Sequence, residues 1–134
     1  MPMLLHEEIV ARYLIPAIKR EMSEELAIRD YKQTEIAKIL HVTPAAITHY
    51  LKQKRAQRVH FPPKLRREIR LSINNLIEDK EKPITPSFLR QELIRIIDMA
   101  RCEKILCELH KELDSSAPED CCDLCRRQDN CQNY

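Results

Sequence analysis

The stretch from Gln33 to Arg55, QTEIAKILHVTPAAITHYLKQKR, constrains this chain more than any other. Apolar residues recur at helical spacing on both sides of a break, with Ile36, Ala37, Ile39 and Leu40 before it and Ala46, Ile47, Tyr50 and Leu51 after it. His41-Val42-Thr43-Pro44 supplies the break: Val42 is expected as a buried plug, Thr43 as an N-cap, and Pro44 at the first helical position, where its missing N–H costs nothing. Ala37 suits a steep crossing of two short helices, where little more than a methyl fits. The pattern predicts two short helices joined by a tight turn, the second from Pro44 to about Lys52. Ile47 and Leu51 are expected to turn inward, leaving Pro44, Ala45, Thr48, His49 and Lys52 outward.

At 134 residues the chain has room for one compact domain, or a small domain with an appendage. Hydrophobic residues make up 43% and aromatics only 4%, so the expected core is aliphatic and helical. There is no glycine, which excludes every glycine-dependent phosphate loop. The net charge of +2 conceals a division. Residues 44–70 carry Lys52, Lys54, Arg55, Arg58, Lys64, Arg66, Arg67 and Arg70 against Glu68 alone, whereas residues 101–134 are net acidic. A basic segment directly after a candidate reading helix is the electrostatic signature of a nucleic-acid partner. No apolar run is long enough to cross a bilayer, and the acidic Glu7-Glu8 pair breaks any leader-like pattern, so a cytoplasmic location without a membrane partner is expected.

Gln33, the Glu35-Ile36-Ala37 run, Leu40, Val42-Thr43, Ala46-Ile47, Tyr50-Leu51 and Lys54-Arg55 together resemble the lambda-repressor-like (Xre-like) helix-turn-helix regulators, in the archaeal branch with a cysteine-rich C-terminal tail. The likeness covers residues 5–58 closely and the tail in outline. Two positions depart from the pattern: His41 stands where glycine is usual and a positive φ is expected, and Lys32 stands where Ser or Thr commonly caps. The resemblance implies a sequence-specific DNA-binding regulator, not an enzyme, with double-stranded DNA as partner and no small-molecule substrate. In such a protein the outer face of the second helix enters the major groove. Gln33, Thr43, Pro44, Ala45, Thr48, His49 and Lys52 are then the candidate contacts to bases and nearby backbone, and Lys54, Arg55 and Arg58 the candidate phosphate contacts.

Before that motif, residues 6–29 read as a long helical segment interrupted at Pro16, either kinked there or restarted. Its expected work is to roof the motif. After Phe61-Pro62-Pro63, a helix from Lys64 to about Asp79 buries Leu65, Ile69, Ile73, Leu76 and Ile77. A polar hinge follows, then a helix capped by Thr85 with a stripe of Phe88, Leu89, Leu93, Ile96, Ile97 and Ala100. These two amphipathic helices either wrap back on the first or build a dimer. The two-fold symmetry of palindromic operators favours a homodimer through residues 64–100. The expected architecture is thus all-α: a DNA-binding bundle over 1–60, a dimerisation region over 61–100 and a metal-binding tail over 101–134.

Six cysteines occupy that tail, at 102, 107, 121, 122, 125 and 131. Cysteines in a cytosolic setting point to metal or redox chemistry before a disulfide scaffold. The CxxC of Cys122 and Cys125 brings two thiolates to one ion, and Cys107 with His110 shares a helical face. Those four make a Cys₃His zinc set. Replacing His110 by Cys102 gives four thiolates for an iron–sulfur cluster, provided that the helix breaks between Cys102 and Cys107, which otherwise point about 140° apart. The tail of the resembled branch is thiolate-rich and implies an iron–sulfur centre sensing iron or redox state, on Cys102, Cys107, Cys122 and Cys125. Zinc is the alternative cofactor, and His110, Cys121 and Cys131 are alternate ligands. Disulfides, such as Cys102 with Cys107 or Cys121 with Cys131, are the structural reading. His6 and His60 are expected at the surface.

Overall fold

The computed structural model describes residues 3–53, 57–78 and 83–114. Every element in them is helical, in keeping with the all-α expectation. The chain enters through α1 (His6–Ile9), passes through a π-helical stretch at Val10–Leu14 and continues as α2 (Ile15–Ile28). The π stretch explains how one rod carries Pro16. Proline has no N–H to give and its ring collides with the carbonyl four residues back, so the backbone widens for one turn just before it. Pro16 is buried and falls in the first turn of α2, so the segment continues where the sequence allowed a kink or a restart.

α3 (Gln33–Ile39) and α4 (Pro44–Lys52) follow, then α5 (Pro63–Ile77), α6 (Pro86–Cys102) and α7 (Ile105–Leu113). Start signals lie where the sequence puts them. The Thr43 hydroxyl accepts from Ala46 N–H at 3.1 Å and the Thr85 hydroxyl from Phe88 N–H at 3.2 Å, each ahead of a proline in the first turn. Lys32 has no acceptor to offer α3, and its place is half filled by Glu35, whose carboxylate accepts the Lys32 N–H at 3.3 Å.

Stop signals are unusual because glycine is missing. Asp30, His41 and Lys104 hold φ of 67°, 51° and 64°, each one residue beyond a helix cap. Two of these ends close in the Schellman pattern: Tyr31 N–H donates to Leu26 O and Asp30 N–H to Ala27 O, and Val42 N–H donates to Ala37 O and His41 N–H to Lys38 O. The positive φ expected at His41 is therefore present, and it terminates α3 so that α4 can cross it.

α2 is the central post. Ile9, Leu14, Ala17, Ile18, Met22 and Leu26 are buried along this first rod, and α4, α5 and α6 all pack on α2. One apolar cluster runs from Ile9 to Leu109, with Phe61 the aromatic among its buried members, which matches the aliphatic core read from composition. α5 buries Leu65, Ile69, Ile73 and Leu76, with Ile77 half-buried, and α6 buries Leu89, Ile96, Met99 and Ala100. Phe88, expected in the α6 stripe, is instead exposed, because it lies in the first turn and ahead of the packed region. Phe88 apart, the apolar stripes of both helices are covered within the chain. α5 and α6 are pinned to each other by a polar network in which Arg95 reaches Glu68 at 2.7 Å, Ser72 at 2.7 Å and Glu92 at 3.2 Å, while the Ser72 hydroxyl donates to Glu92 at 2.6 Å. α7 returns to α1, and the Leu4 N–H donates to Asp114 Oδ2 at 2.8 Å. No helix among the described residues is long and apolar enough to cross a membrane.

Candidate nucleic-acid interface

α4 sinks one side chain completely. Ile47 is 1% exposed, and burying an isoleucine contributes about 2–3 kcal/mol, enough to fix which way so short a helix faces. Ala37 of α3 is buried at the crossing, as its small volume suggests, whereas Val42 is only half-buried. The last turn of α4 differs from expectation. Leu51 is exposed, and Tyr50 takes the seat on α2, where Lys19 Nζ donates to its hydroxyl at 3.3 Å and lies 5.4 Å from its ring centre. A tyrosine combines an apolar ring with a polar tip, and here the tip accepts from Lys19.

With Ile47 inward, Thr43, Pro44, Ala45, His49 and Lys52 are exposed on or beside α4. Thr48 is half-buried, because its hydroxyl is already engaged. It donates to Pro44 O at 3.3 Å and accepts from Gln33 Nε2, which also donates to Pro44 O at 3.0 Å. Gln33 opens α3, yet its amide lies across the start of α4. The sequence proposed Gln33 and Thr48 as separate contacts, and the fold joins them into one hydrogen-bonded pair with Gln33 exposed above. Arg58 is exposed, and Lys54 and Arg55 lie outside the described residues. Exposed Arg66, Arg67 and Arg70 on α5 add positive charge, with Arg70 3.9 Å from Glu25.

His41 has a partner that no local pattern announces. Its Nε2 lies 2.6 Å from the carbonyl oxygen of Ile84, which requires the ring proton on that nitrogen and ties the turn of the motif to the segment ahead of α6.

The other candidate site lies at the far end. Cys121, Cys122, Cys125 and Cys131 fall outside the described residues. Cys107 and His110 are both buried on α7, one turn apart, and Cys107 carries a reduced thiol. The helix break that joint ligation by Cys102 and Cys107 requires is present, at Glu103-Lys104. Cys102, however, takes part in a disulfide, so it offers no thiolate in this state, and its bond is not to Cys107. Among the described residues no three His, Cys, Asp or Glu side chains are arranged to hold a metal, so they supply a pair of donors and not a complete set. His110 is nevertheless distinctive: it is 6% exposed, and among the described residues neither ring nitrogen has a hydrogen-bond partner. Asp114 Oδ2 lies 3.4 Å from its Nε2 without forming a hydrogen bond. His6, expected at the surface, is half-buried with its ring edge-on to His110 at 4.8 Å between centres, because α1 packs on α7. Burial holds the His6 pKa below its ordinary value, and the neighbouring His110 adds to that. His60 is exposed as expected.

Neither a family model nor a curated protein nor a solved structure matches the chain.

Proposed function

We propose that the chain is a sequence-specific DNA-binding transcription regulator acting as a homodimer, with α4 as the helix that enters the major groove. One observation carries this reading. α4 is anchored by Ile47 while Pro44, Ala45, His49 and Lys52 form its open side, and Gln33 is held over the same surface by Pro44 and Thr48. In this reading His49 and Lys52 meet guanine acceptors or phosphate, Gln33 meets an adenine edge, and Ala45 meets a thymine methyl. Arg58, Lys54 and Arg55 hold phosphates, which set register and supply affinity. A helical interaction adaptor is the competing reading, and it has no use for so many cations after Lys52.

Electrophoretic mobility shift over a salt series tests the proposal. Duplex binding should weaken steeply with salt, with log affinity falling by about 0.9 per phosphate contact for each tenfold rise in salt. Lys52→Ala should make that slope shallower by about 1. Absence of duplex binding at low salt would leave the adaptor reading in its place.

The homodimer no longer rests on uncovered α5 and α6 stripes, since both are covered within the chain except at Phe88; the exposed Leu71, Phe88 and Ile94 remain as apolar contributors from those helices. For the tail we propose a metal centre. The resemblance argues for an iron–sulfur cluster as redox or iron sensor. Buried Cys107 and His110, whose ring nitrogens make no hydrogen bond among the described residues, support the zinc set that Cys122 and Cys125 would complete. Elemental analysis with an absorption spectrum of anaerobically purified protein separates the two: stoichiometric iron with visible absorption supports the cluster, and stoichiometric colourless zinc supports the staple.

A further inference from the structure

Behind the reading motif lies a cavity of about 660 Å³, within the range of about 300–1,000 Å³ typical of small-molecule sites. One wall is Ile39 and its neighbours on α3, and the other is Leu76 and Ile77 at the end of α5 with Ile84 ahead of α6. The bond from His41 to Ile84 O spans the same two walls. The polar lining separates into engaged and open groups. Arg29 is committed to Glu25 at 3.1 Å and to Asn74 at 2.6 Å, and Glu35 caps Lys32. Lys38, Asp30 and Tyr31 also line the cavity, and none has a side-chain partner among the described residues. Lys38 stands five residues after Gln33, about 140° around the helix, so it points away from the candidate DNA face.

We propose that this cavity binds a small zwitterion with an apolar body: a free amino acid with a large apolar side chain, or a short peptide of such residues. One cation and one anion stand open beside an aliphatic wall. A simple acid would answer Lys38 and leave Asp30 opposed, an amine would do the reverse, and a zwitterion answers both. The carboxylate goes to Lys38 and the Tyr31 hydroxyl, the ammonium goes to Asp30, and the apolar body lies on Ile39, Leu76 and Ile84. A ligand seated there touches both the motif and the helices behind it. Its binding does not depend on the DNA reading and is measured without DNA.

Isothermal titration calorimetry of the full chain with L-phenylalanine, 3-phenylpropanoate, phenethylamine and L-phenylalanyl-L-phenylalanine is the test. L-phenylalanine or its dipeptide should bind saturably, whichever is tighter showing whether the site takes the free residue or the peptide. Each single-charge analogue should bind about tenfold to a hundredfold more weakly, the worth of one charge-assisted hydrogen bond. Lys38→Met and Asp30→Asn should each reduce affinity by a similar factor. Both positions are exposed, and asparagine tolerates the left-handed backbone at residue 30, so the melting temperature of the unliganded variants serves as the folding control. Binding by neither zwitterion, equal binding of all probes, or full affinity in Lys38→Met would overturn the proposal.

Discussion

Asp30, His41 and Lys104 do the work that glycine does in other chains, and each does it at a cost. A side chain with a Cβ in the left-handed region carries strain of about 1 kcal/mol relative to glycine. His41 recovers part of that through its ring bond to Ile84 O. Lys104 is exposed and its side chain bonds nothing among the described residues, so Lys104→Gly should raise stability by about 0.5–1 kcal/mol in urea unfolding. His41→Gly should gain less than Lys104→Gly, because it gives up the bond as it relieves the strain. The residue scale is also where the sequence was least legible. That His41 takes φ above zero was implied by the resemblance, whose turn usually carries glycine there, but its bond to Ile84 spans forty-three positions and has no local signature. Thr48 was read as open because a helical wheel records direction and not which neighbour arrives; Gln33 arrives.

Helices are the scale the sequence announced best. Thr43-Pro44 and Thr85-Pro86 mark starts that hydrogen bonds now make explicit, and the 3.6-residue period placed Ile47, Leu65, Ile69, Ile73 and Ile96 inside. Leu51 and Phe88 escaped that period because a periodic face says nothing about where the neighbouring helix ends. Ile47→Ala should cost about 2–4 kcal/mol by emptying the one anchor of α4, whereas His49→Ala should leave stability unchanged and weaken duplex binding. Between α5 and α6, Arg95→Ala removes the partner of Glu68, Ser72 and Glu92 together and should cost about 2–3 kcal/mol, since the buried Glu92 carboxylate then lacks its countercharge. On α2, burial holds the Glu21 carboxyl above its ordinary pKa, against the opposing influence of Arg66. A raised acid binds its proton more readily folded than unfolded, so its cost is absent below the ordinary value of 4.5 and grows as pH rises through the folded value. Glu21→Gln should therefore raise the melting temperature at pH 7, with the gain fading towards pH 4.

At the scale of the whole molecule, α2 receives the motif on one side and α5 and α6 on others, so residues that the sequence divided among a reading unit and a dimerisation unit share one core. Amphipathic stripes say that a helix needs cover and do not say whose, which is why α5 and α6 suited a dimer as well as a post. The donor pair of Cys107 and His110 was legible from its spacing, and the convergence of His6 on it was not, because more than a hundred positions separate them. A similar separation divides Leu4 from Asp114, whose carboxylate receives the Leu4 amide. A polypeptide leaving the ribosome would thus leave its earliest turn, α1 with Ile9, without its cover until nearly the whole of α7 had been synthesised. Nascent chains arrested just short of that helix should engage holdase chaperones, and chains that have extruded it should let go.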